Sequence, residues 1–224
     1  MKSCLLFAIA VITMASAYAQ LPQFSPQSFE GWIYTNPATE LNQSNIVNNK
    51  IYLYKTSTGL DLTLTSPRFI CTPGQVIDMT VTWITDQWKS QHFVVSKVAL
   101  TAALIDDSGV AIDSVTYTPI SVSRTNYVNL SLGVPRGLTA ARLRFASWQA
   151  DVNSNGAVRQ IVMSSFLRGD VNLDGEVTVA DVNAVVDVIL GNADDQALRG
   201  RADVNGDGEV TLADINSVID IVVS

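Results

Sequence analysis

Two copies of one acidic pattern lie near the C-terminus, and both contain the residue types that bind calcium. The first copy reads Asp-Val-Asn-Leu-Asp-Gly-Glu-Val-Thr-Val-Ala-Asp over residues 170–181. The second reads Asp-Val-Asn-Gly-Asp-Gly-Glu-Val-Thr-Leu-Ala-Asp over residues 203–214. From residue 170 to residue 190, 13 of 21 positions are identical to those found 33 residues later. An acidic surface turn explains one such stretch, but it does not explain a duplication that keeps its register.

The spacing of the oxygen-bearing residues matches a calcium-binding loop. Calcium takes six to eight oxygen ligands, and a twelve-residue loop supplies them from positions 1, 3, 5, 7, 9 and 12. Gly175 and Gly208 lie at position 6, where the chain must turn sharply. We therefore predict two calcium ions. Their expected ligands are Asp170, Asn172, Asp174, Glu176 (through its carbonyl), Thr178 (through water) and Asp181, and likewise Asp203, Asn205, Asp207, Glu209, Thr211 and Asp214.

A helical periodicity follows each loop. Apolar residues recur at i, i+3, i+4 and i+7, which is the spacing of one helix face. Gly191 is placed to end the first helix. We expect the two helices to pack through these stripes, and we find no convincing helix before either loop. The stripes are Val182, Val185, Val186 and Ile189, and Ile215, Val218, Ile219 and Val222.

This duplicated loop–helix pattern resembles a dockerin module of type I, and the resemblance covers residues 169–224. It implies a small all-α module that folds on calcium and binds a β-sandwich partner, cohesin. It also implies that positions 10 and 11 of each loop contact the partner, in either of two orientations because the copies are nearly symmetric. These positions are Val179 and Ala180, and Leu212 and Ala213. Packing of the module against its own chain remains an alternative.

The region before the module shows the periodicity of strands. Between residues 76 and 84, Ile77, Met79, Val81 and Trp83 alternate with polar residues. Eight to ten such stretches separated by turn signals predict a two-sheet antiparallel sandwich. We read Asn155-Gly156 as a hairpin turn between the last two strands.

This layout resembles the jelly-roll carbohydrate-binding modules. The resemblance is carried by Gly31-Trp32, by the segment 66–74 and by Arg142-Leu-Arg-Phe145. The predicted fold class is therefore a mainly β, jelly-roll-like sandwich followed by a small all-α calcium-binding module. The expected boundaries are a signal peptide at 1–19, the sandwich at 20–166 and the dockerin-like module at 167–224.

Two tryptophans are candidates for glycan binding. Trp88 lies in the polar segment Asp86-Gln-Trp-Lys-Ser-Gln-His92, where no apolar periodicity would bury it. Exposed aromatic rings can stack on sugar rings while polar neighbours bond the hydroxyls. The alternative is a tryptophan folded back over the end of the sandwich. Trp148 is a second candidate, whereas Trp32 and Trp83 are expected in the core.

The N-terminal segment has the features of a secretory signal. Lys2 precedes a short apolar run, and Ala17-Tyr18-Ala19 forms a small-residue cleavage site. The run is too short to span a membrane. Cleavage would leave Cys71 as the sole cysteine, in a strand-like context that favours a buried hydrophobe. We expect a secreted or cell-surface protein.

Charge and composition argue against several functions. Residues 168–224 contain twelve Asp and Glu against three Arg, a net charge of −9, so within a total of −7 the remainder carries +2. No basic patch with interleaved aromatics supports nucleic-acid binding. His92 is the only histidine, and no pair of carboxylates suggests a glycosidase. We therefore expect a non-catalytic protein.

The expected function is extracellular polysaccharide capture or degradation. A glycan-binding sandwich would be attached by its dockerin to a cohesin-like partner. The main alternative is a structural or adhesive surface protein whose dockerin caps its own sandwich. A small glycosidase with a dockerin tail is a third reading.

Overall fold

The computed structural model describes residues 21–34, 39–53, 61–87, 98–119, 125–148, 154–193 and 195–224. The signal-like segment 1–19, Trp88 and His92 lie outside these ranges.

Eleven strands in the described residues form two sheets, and every strand pair is antiparallel. One sheet has the order β2-β1-β4-β10-β7-β8, with β5 also paired to β10, and the other has the order β3-β11-β6-β9. The predicted two-sheet antiparallel sandwich is confirmed. The strands are β1 Ile33–Tyr34, β2 Thr39–Glu40, β3 Ile51–Leu53, β4 Leu64–Thr65, β5 Phe69–Ile70, β6 Gln75–Gln87, β7 Ala99–Ile105, β8 Ala111–Tyr117, β9 Thr125–Gly133, β10 Ala140–Trp148 and β11 Ser154–Leu167.

The core lies between the two sheets and follows the alternation of the strands. On β6, the predicted inward residues Ile77, Met79, Val81 and Trp83 are all buried. The opposite sheet contributes Leu100, Leu104, Leu143 and Phe145, which are fully buried. Trp32 and Cys71 are buried as well. The indole of Trp83 is satisfied inside the core, because its Nε1 donates to the carbonyl of Val98 at 3.1 Å.

The predicted hairpin turn at Asn155-Gly156 is wrong, because both residues lie inside β11. In the register with β6, Gly156 pairs with Thr85 and Val158 pairs with Trp83. A Cβ added to Gly156 would lie 2.0 Å from the Trp83 indole. The Trp83 indole therefore packs directly against the backbone of Gly156, and any side chain at this position would clash with the ring.

Three helices follow the sandwich: α1 Val179–Ile189, α2 Gln196–Ala202 and α3 Leu212–Val223. The first ends as predicted, with Gly191 at a φ of +73° just past its last turn. The expectation that no helix precedes either loop is wrong for the second loop, which α2 enters directly. Asp195 caps α2, and Arg201 ties it to the first loop through an Nε bond of 3.0 Å to the carbonyl of Val171.

The helices pack around a small core of their own, to which only part of each predicted stripe contributes: Val182 and Val185 on α1, and Ile215 and Val218 on α3. The buried face of α1 contains Asp181, Val185 and Val188, and that of α3 contains Asp214 and Val218. This face is rotated by about a quarter turn from the predicted one, given 3.6 residues per turn. The reason is that the last acidic residue of each loop points inward and fixes which side of the helix is buried. The other buried members of this core are Val171, Ala202 and Val204.

The junction between the sandwich and the helical region is short and held on both sides. The backbone N–H of Arg168, one residue after β11, donates to the carbonyl of Gly74 at 3.0 Å. Its Nη1 donates to the carbonyl of Val204 in the second acidic loop at 3.1 Å. Gly169 has a φ of +94°, and a Cβ there would lie 3.0 Å from Val177 and 3.1 Å from Ile221. The two parts therefore meet without a flexible linker.

We predict that Gly156→Ala destabilises the sandwich by about 1–3 kcal/mol, the usual cost of overpacking a core. All four tryptophans precede residue 167, so their fluorescence during urea unfolding reports on the sandwich alone. Gly133→Ala in β9 is the matched control, because its Cβ would meet only the end of Arg168 at 3.5 Å. Equal stability of the two variants would contradict the packing role of Gly156.

Candidate functional site

The first acidic loop is folded around the carboxylate of Asp170, which is 3% exposed. Its Oδ1 accepts from the N–H of Asp174 at 3.1 Å, and its Oδ2 accepts from the N–H of Gly175 at 3.1 Å. Gly175 makes the sharp turn with a φ of +92°. Asn172 and Asp174 face each other across the turn through an Nδ2–Oδ2 bond of 2.8 Å. The predicted ligands at positions 1, 3 and 5 thus surround one small space.

Asp181 joins the loop to the start of α1. It is fully buried, and its Oδ1 accepts from the N–H groups of Val171 and Asn172 at 2.8 and 3.1 Å. Its Oδ2 accepts from the N–H of Thr178 at 2.8 Å. The hydroxyl of Thr178 in turn accepts from the N–H of Ala180, which completes a capping box at the helix start. One carboxylate therefore closes the loop and caps the helix together.

The electrostatics of this loop favour a cation. Burial raises the pKa of the Asp170 carboxyl, and the negative charges of Asp181 and Asp174 raise it further. The backbone hydrogen bonds from Gly175 and Asp174 act in the opposite direction. Like charges that converge in a partly buried loop are unfavourable unless a positive charge joins them.

The second loop repeats most of the hydrogen bonds of the first at equivalent positions. Asp203 accepts from the N–H groups of Asp207 and Gly208 at 3.1 and 2.9 Å. Asp214 is fully buried and accepts from the N–H groups of Asn205 and Thr211. Position 4 differs: it is Gly206 at a φ of +79° here and Leu173 at a φ of +61° in the first loop. A leucine in this left-handed conformation is uncommon and costs backbone strain.

The donor set suits calcium better than a transition metal. In the described ranges, no group of three or more His, Cys, Asp or Glu side chains forms a metal cluster. The predicted ligands of each loop are carboxylates, an asparagine and the carbonyl of its seventh residue, Glu176 or Glu209. Hard oxygen donors of this mixed kind are the ligands of calcium.

Each long helix also exposes an apolar face opposite its buried one. The "exposed stripes" are Val179, Val186 and Leu190 along α1 and its C-cap, and Leu212, Ile219 and Val223 on α3, equivalent residues 33 positions apart. Val186 is half-buried, and the other five are exposed. Val179 is 65% exposed and Leu212 is 71% exposed. Both predicted partner-binding pairs, Val179-Ala180 and Leu212-Ala213, therefore begin an exposed stripe at the end of a loop, where the helix starts. Neither α1 nor α3 contains a lysine or an arginine.

The outward face of the four-stranded sheet carries a second set of exposed polar residues. Tyr127 on β9 is 77% exposed, and Asn129 and Ser131 follow it on the same face. Cross-strand bonds join Thr80 Oγ1 to Asn129 Oδ1 at 3.0 Å and Ser131 Oγ to Asp78 Oδ1 at 2.6 Å. We define these residues as the "outer sheet face". Period-two alternation of Tyr127, Asn129 and Ser131 with buried neighbours was the sequence signal for it.

The predicted glycan-binding tryptophans do not define this face. Trp88 lies outside the described residues. Trp148 is the last residue of β10, in the other sheet, and its side chain is not among the described ones. Both assignments stay predictions.

Comparison with protein families identifies the class of the C-terminal region. Residues 168–222 match the family model described as "Dockerin type I domain". This part of the chain is a dockerin domain. Dockerin type I domains bind calcium, and dockerins bind cohesins. No curated protein matches the chain.

The sandwich is similar in fold to modules of known structure. A structure titled "CBM4 structure and function" is 9% identical, with a TM-score of 0.39 over 61% of this chain and 95% of that one. The CBM22-1 xylan-binding domain from Paenibacillus barcinonensis Xyn10C is 10% identical, with a TM-score of 0.36 over 66% of this chain and 94% of that one. The enzymatically active domain of Bacteriophage CBA120 tailspike protein 4 is 18% identical at a TM-score of 0.37, over 52% of this chain and 15% of that one. These similarities concern the fold alone.

In the part of the chain that the structure describes, no helix combines the length and the apolarity that a bilayer crossing requires.

We predict that Asp181→Asn weakens calcium binding at least tenfold, because the loop loses the charge of one of its predicted ligands. Asp187→Asn is the matched control, since Asp187 is an exposed residue of the same helix outside the loop. The measurement is a calcium titration of both variants followed by circular dichroism at 222 nm. Equal titration midpoints would remove Asp181 from the ligand set.

Proposed function

We propose that this chain is a secreted, non-catalytic protein that a dockerin attaches to a cohesin-like partner, and that its sandwich captures polysaccharide. The observation that carries the docking half is the pair of exposed stripes, each starting at an acidic loop. The outer sheet face supports the capture half. Residues 1–19, with the pattern of a secretory signal, support export.

In this proposal two calcium ions fold the dockerin. The first is held by Asp170, Asn172, Asp174, Asp181 and the carbonyl of Glu176. The second is held by the equivalent donors Asp203, Asn205, Asp207, Asp214 and Glu209. An unfolded loop has no preformed site, so the free energy of calcium binding contributes to folding. The helical core is small, so we expect the domain to unfold when calcium is removed.

The exposed stripes suit a partner with an apolar surface. A soluble domain rarely leaves large aliphatic side chains at equivalent places on two helices unless a partner covers them. Asp187 and Asp220 lie beside the stripes and are exposed. Because neither helix carries a basic residue, basic groups around an apolar patch would complement this surface. Either helix could make the principal contact, since the two stripes are nearly equivalent.

The alternative is a structural protein whose dockerin only caps its own sandwich. The bonds of Arg168 to both parts favour such a contact. That contact nevertheless leaves both exposed stripes uncovered. Capping and docking in trans therefore use different surfaces, and the proposal includes both.

The outer sheet face has the chemistry of a sugar-binding surface. An exposed tyrosine offers a flat ring for the apolar face of a pyranose, and its neighbours offer hydrogen bonds to hydroxyls. Asn129 Nδ2 has no hydrogen-bond partner within the described residues, so it can donate to a ligand. The neighbouring strands β9 and β11 carry no Asp or Glu, so they offer Asp78 no partner for the acid and base pair of a glycosidase.

We predict that docking survives one stripe substitution and fails with two. Val179→Asp or Leu212→Asp alone should change cohesin affinity less than tenfold, whereas the double variant should lose binding. The measurement is calorimetric titration of the full chain against a panel of cohesins in calcium. Ile112→Asp, an exposed apolar residue on β8, is the control for added charge. Full binding by the double variant would show that the stripes are not the docking surface.

We predict that Tyr127→Ala lowers the affinity for polysaccharide at least fivefold, because one stacking platform contributes about 1–3 kcal/mol in comparable aromatic contacts. Affinity electrophoresis in gels containing xylan, β-glucan or galactan measures the effect. Tyr127→Phe keeps the ring and serves as the control. Retardation of wild type and Tyr127→Ala to the same extent would exclude Tyr127 from the site.

A further inference from the structure

A cleft lies between the outer sheet face and the dockerin. Its volume is about 650 Å³, within the range of about 300–1,000 Å³ typical of ligand sites. Its floor is the outer sheet face at Asp78 and Asn129, together with Ser164 on the neighbouring strand β11. Its opposite wall is the dockerin, which contributes Leu173 and Arg201. Neither part encloses this space alone.

The two walls differ in chemistry in the way a saccharide requires. The floor offers the amide nitrogen of Asn129 and the hydroxyl of Ser164, neither of which has a hydrogen-bond partner among the described residues, whereas Asn129 Oδ1 already accepts from Thr80 Oγ1. Apolar contact comes from Val162 on the floor, 49% exposed, and from Leu173 opposite, 52% exposed. Pyranose rings present hydroxyls around their edge and C–H groups on their faces, so such a mixed surface complements them.

Two arginines from the dockerin side are fixed in the cleft. Arg168 Nη1 donates to the carbonyl of Val204, and Arg201 Nε donates to the carbonyl of Val171. A guanidinium has five N–H donors, so one bond orients each group and leaves others for a ligand. Asp78 and Asp203 also line the cleft, and the balance of charges favours a neutral ligand.

Leu173 is the least expected residue of the wall. It occupies position 4 of the first loop in a left-handed conformation, where the second loop has Gly206, and both residues line the cleft. Glycine would adopt this conformation without strain. The leucine side chain is half exposed and contributes its apolar surface to the cleft. This contribution accounts for a leucine at a position where it strains the backbone.

We propose that this cleft is a composite binding site for a neutral oligosaccharide, built jointly by the sandwich and the dockerin. Because both acidic loops form its wall, saccharide binding is coupled to calcium. By thermodynamic linkage, the saccharide in turn tightens calcium binding by the same factor. The inference rests on the proposed polysaccharide capture and adds its location and its dependence on the metal.

The test is calorimetric titration of the full chain with cellotetraose, xylotetraose and β-1,4-galactotetraose, in calcium and in EGTA. We expect at least one saccharide to bind in calcium and to lose at least tenfold in affinity in EGTA. Tryptophan fluorescence checks that the sandwich stays folded in both buffers.

Two substitutions locate the ligand. Leu173→Gly installs the residue of the second loop and relieves backbone strain, so it should preserve calcium binding while weakening saccharide binding at least fivefold. Asn129→Ala should weaken saccharide binding to a similar extent from the other wall. Asn216→Ala, an exposed asparagine of α3 outside the cleft, is the matched control and should bind as wild type.

The other outcomes overturn the inference in distinguishable ways. Binding that is equal in EGTA, or that depends on Tyr127 but not on Leu173, would place the ligand on the open sheet face. It would leave polysaccharide capture intact. Binding of none of the saccharides, together with no retardation by the polysaccharide gels, would refute capture and the cleft together. Cohesin docking would still be decided by its own titration.

Discussion

The burial of two carboxylates, Asp181 and Asp214, sets the arrangement of the whole C-terminal region. Each is fully buried and holds backbone N–H groups from the beginning of its loop and from the start of the following helix. A buried charge of this kind is stable only when it is compensated. Backbone hydrogen bonds supply part of the compensation, and a calcium ion among the other acidic side chains would supply the rest. The direction of each helix, and therefore the position of its exposed stripe, follows from this one contact.

That constraint also explains why the helices are apolar on two sides. One side must enclose the end of the loop and form the small core around Val185 and Val218. The other side is left facing solvent, although Val179, Leu190, Leu212 and Val223 are all large and aliphatic. An isolated domain gains nothing from such residues on its surface. Their presence at equivalent places on both helices is most simply explained by a partner.

The parts of this architecture that depend on local rules could be predicted from the sequence. Ligand spacing gave the loops, the requirement for positive φ explained Gly175 and Gly208, and period-two alternation gave the long strands. The predicted stripe of α1 covers only part of its buried face, because helical periodicity among apolar residues leaves out Asp181. The sequence pattern does not predict α2, because this helix is held by contacts such as that of Arg201 with Val171, which lie 30 residues apart in sequence.

Contacts between strands that are distant in the sequence are equally impossible to predict from local sequence patterns. Asn155-Gly156 has the composition of a turn, and only the position of the Trp83 indole shows why glycine is needed within a strand. The sequence does not predict the outer sheet face for a similar reason. Tyr127 is one of six tyrosines, and its exposure follows from which sheet β9 joins rather than from its neighbours in sequence. Surfaces assembled from several strands require the register before they can be recognised.

The short junction at Arg168 and Gly169 determines how the sandwich would be carried by a docked dockerin. Modules on long flexible linkers sweep out a volume, and their local concentration at a target depends on linker length. Here the short junction would hold the sandwich at one orientation relative to a docked partner. Docking through one exposed stripe or the other would then give the outer sheet face two distinct orientations. Where several such proteins are docked side by side, the choice between the two helices would let the same sandwich reach either of two neighbouring polysaccharide chains.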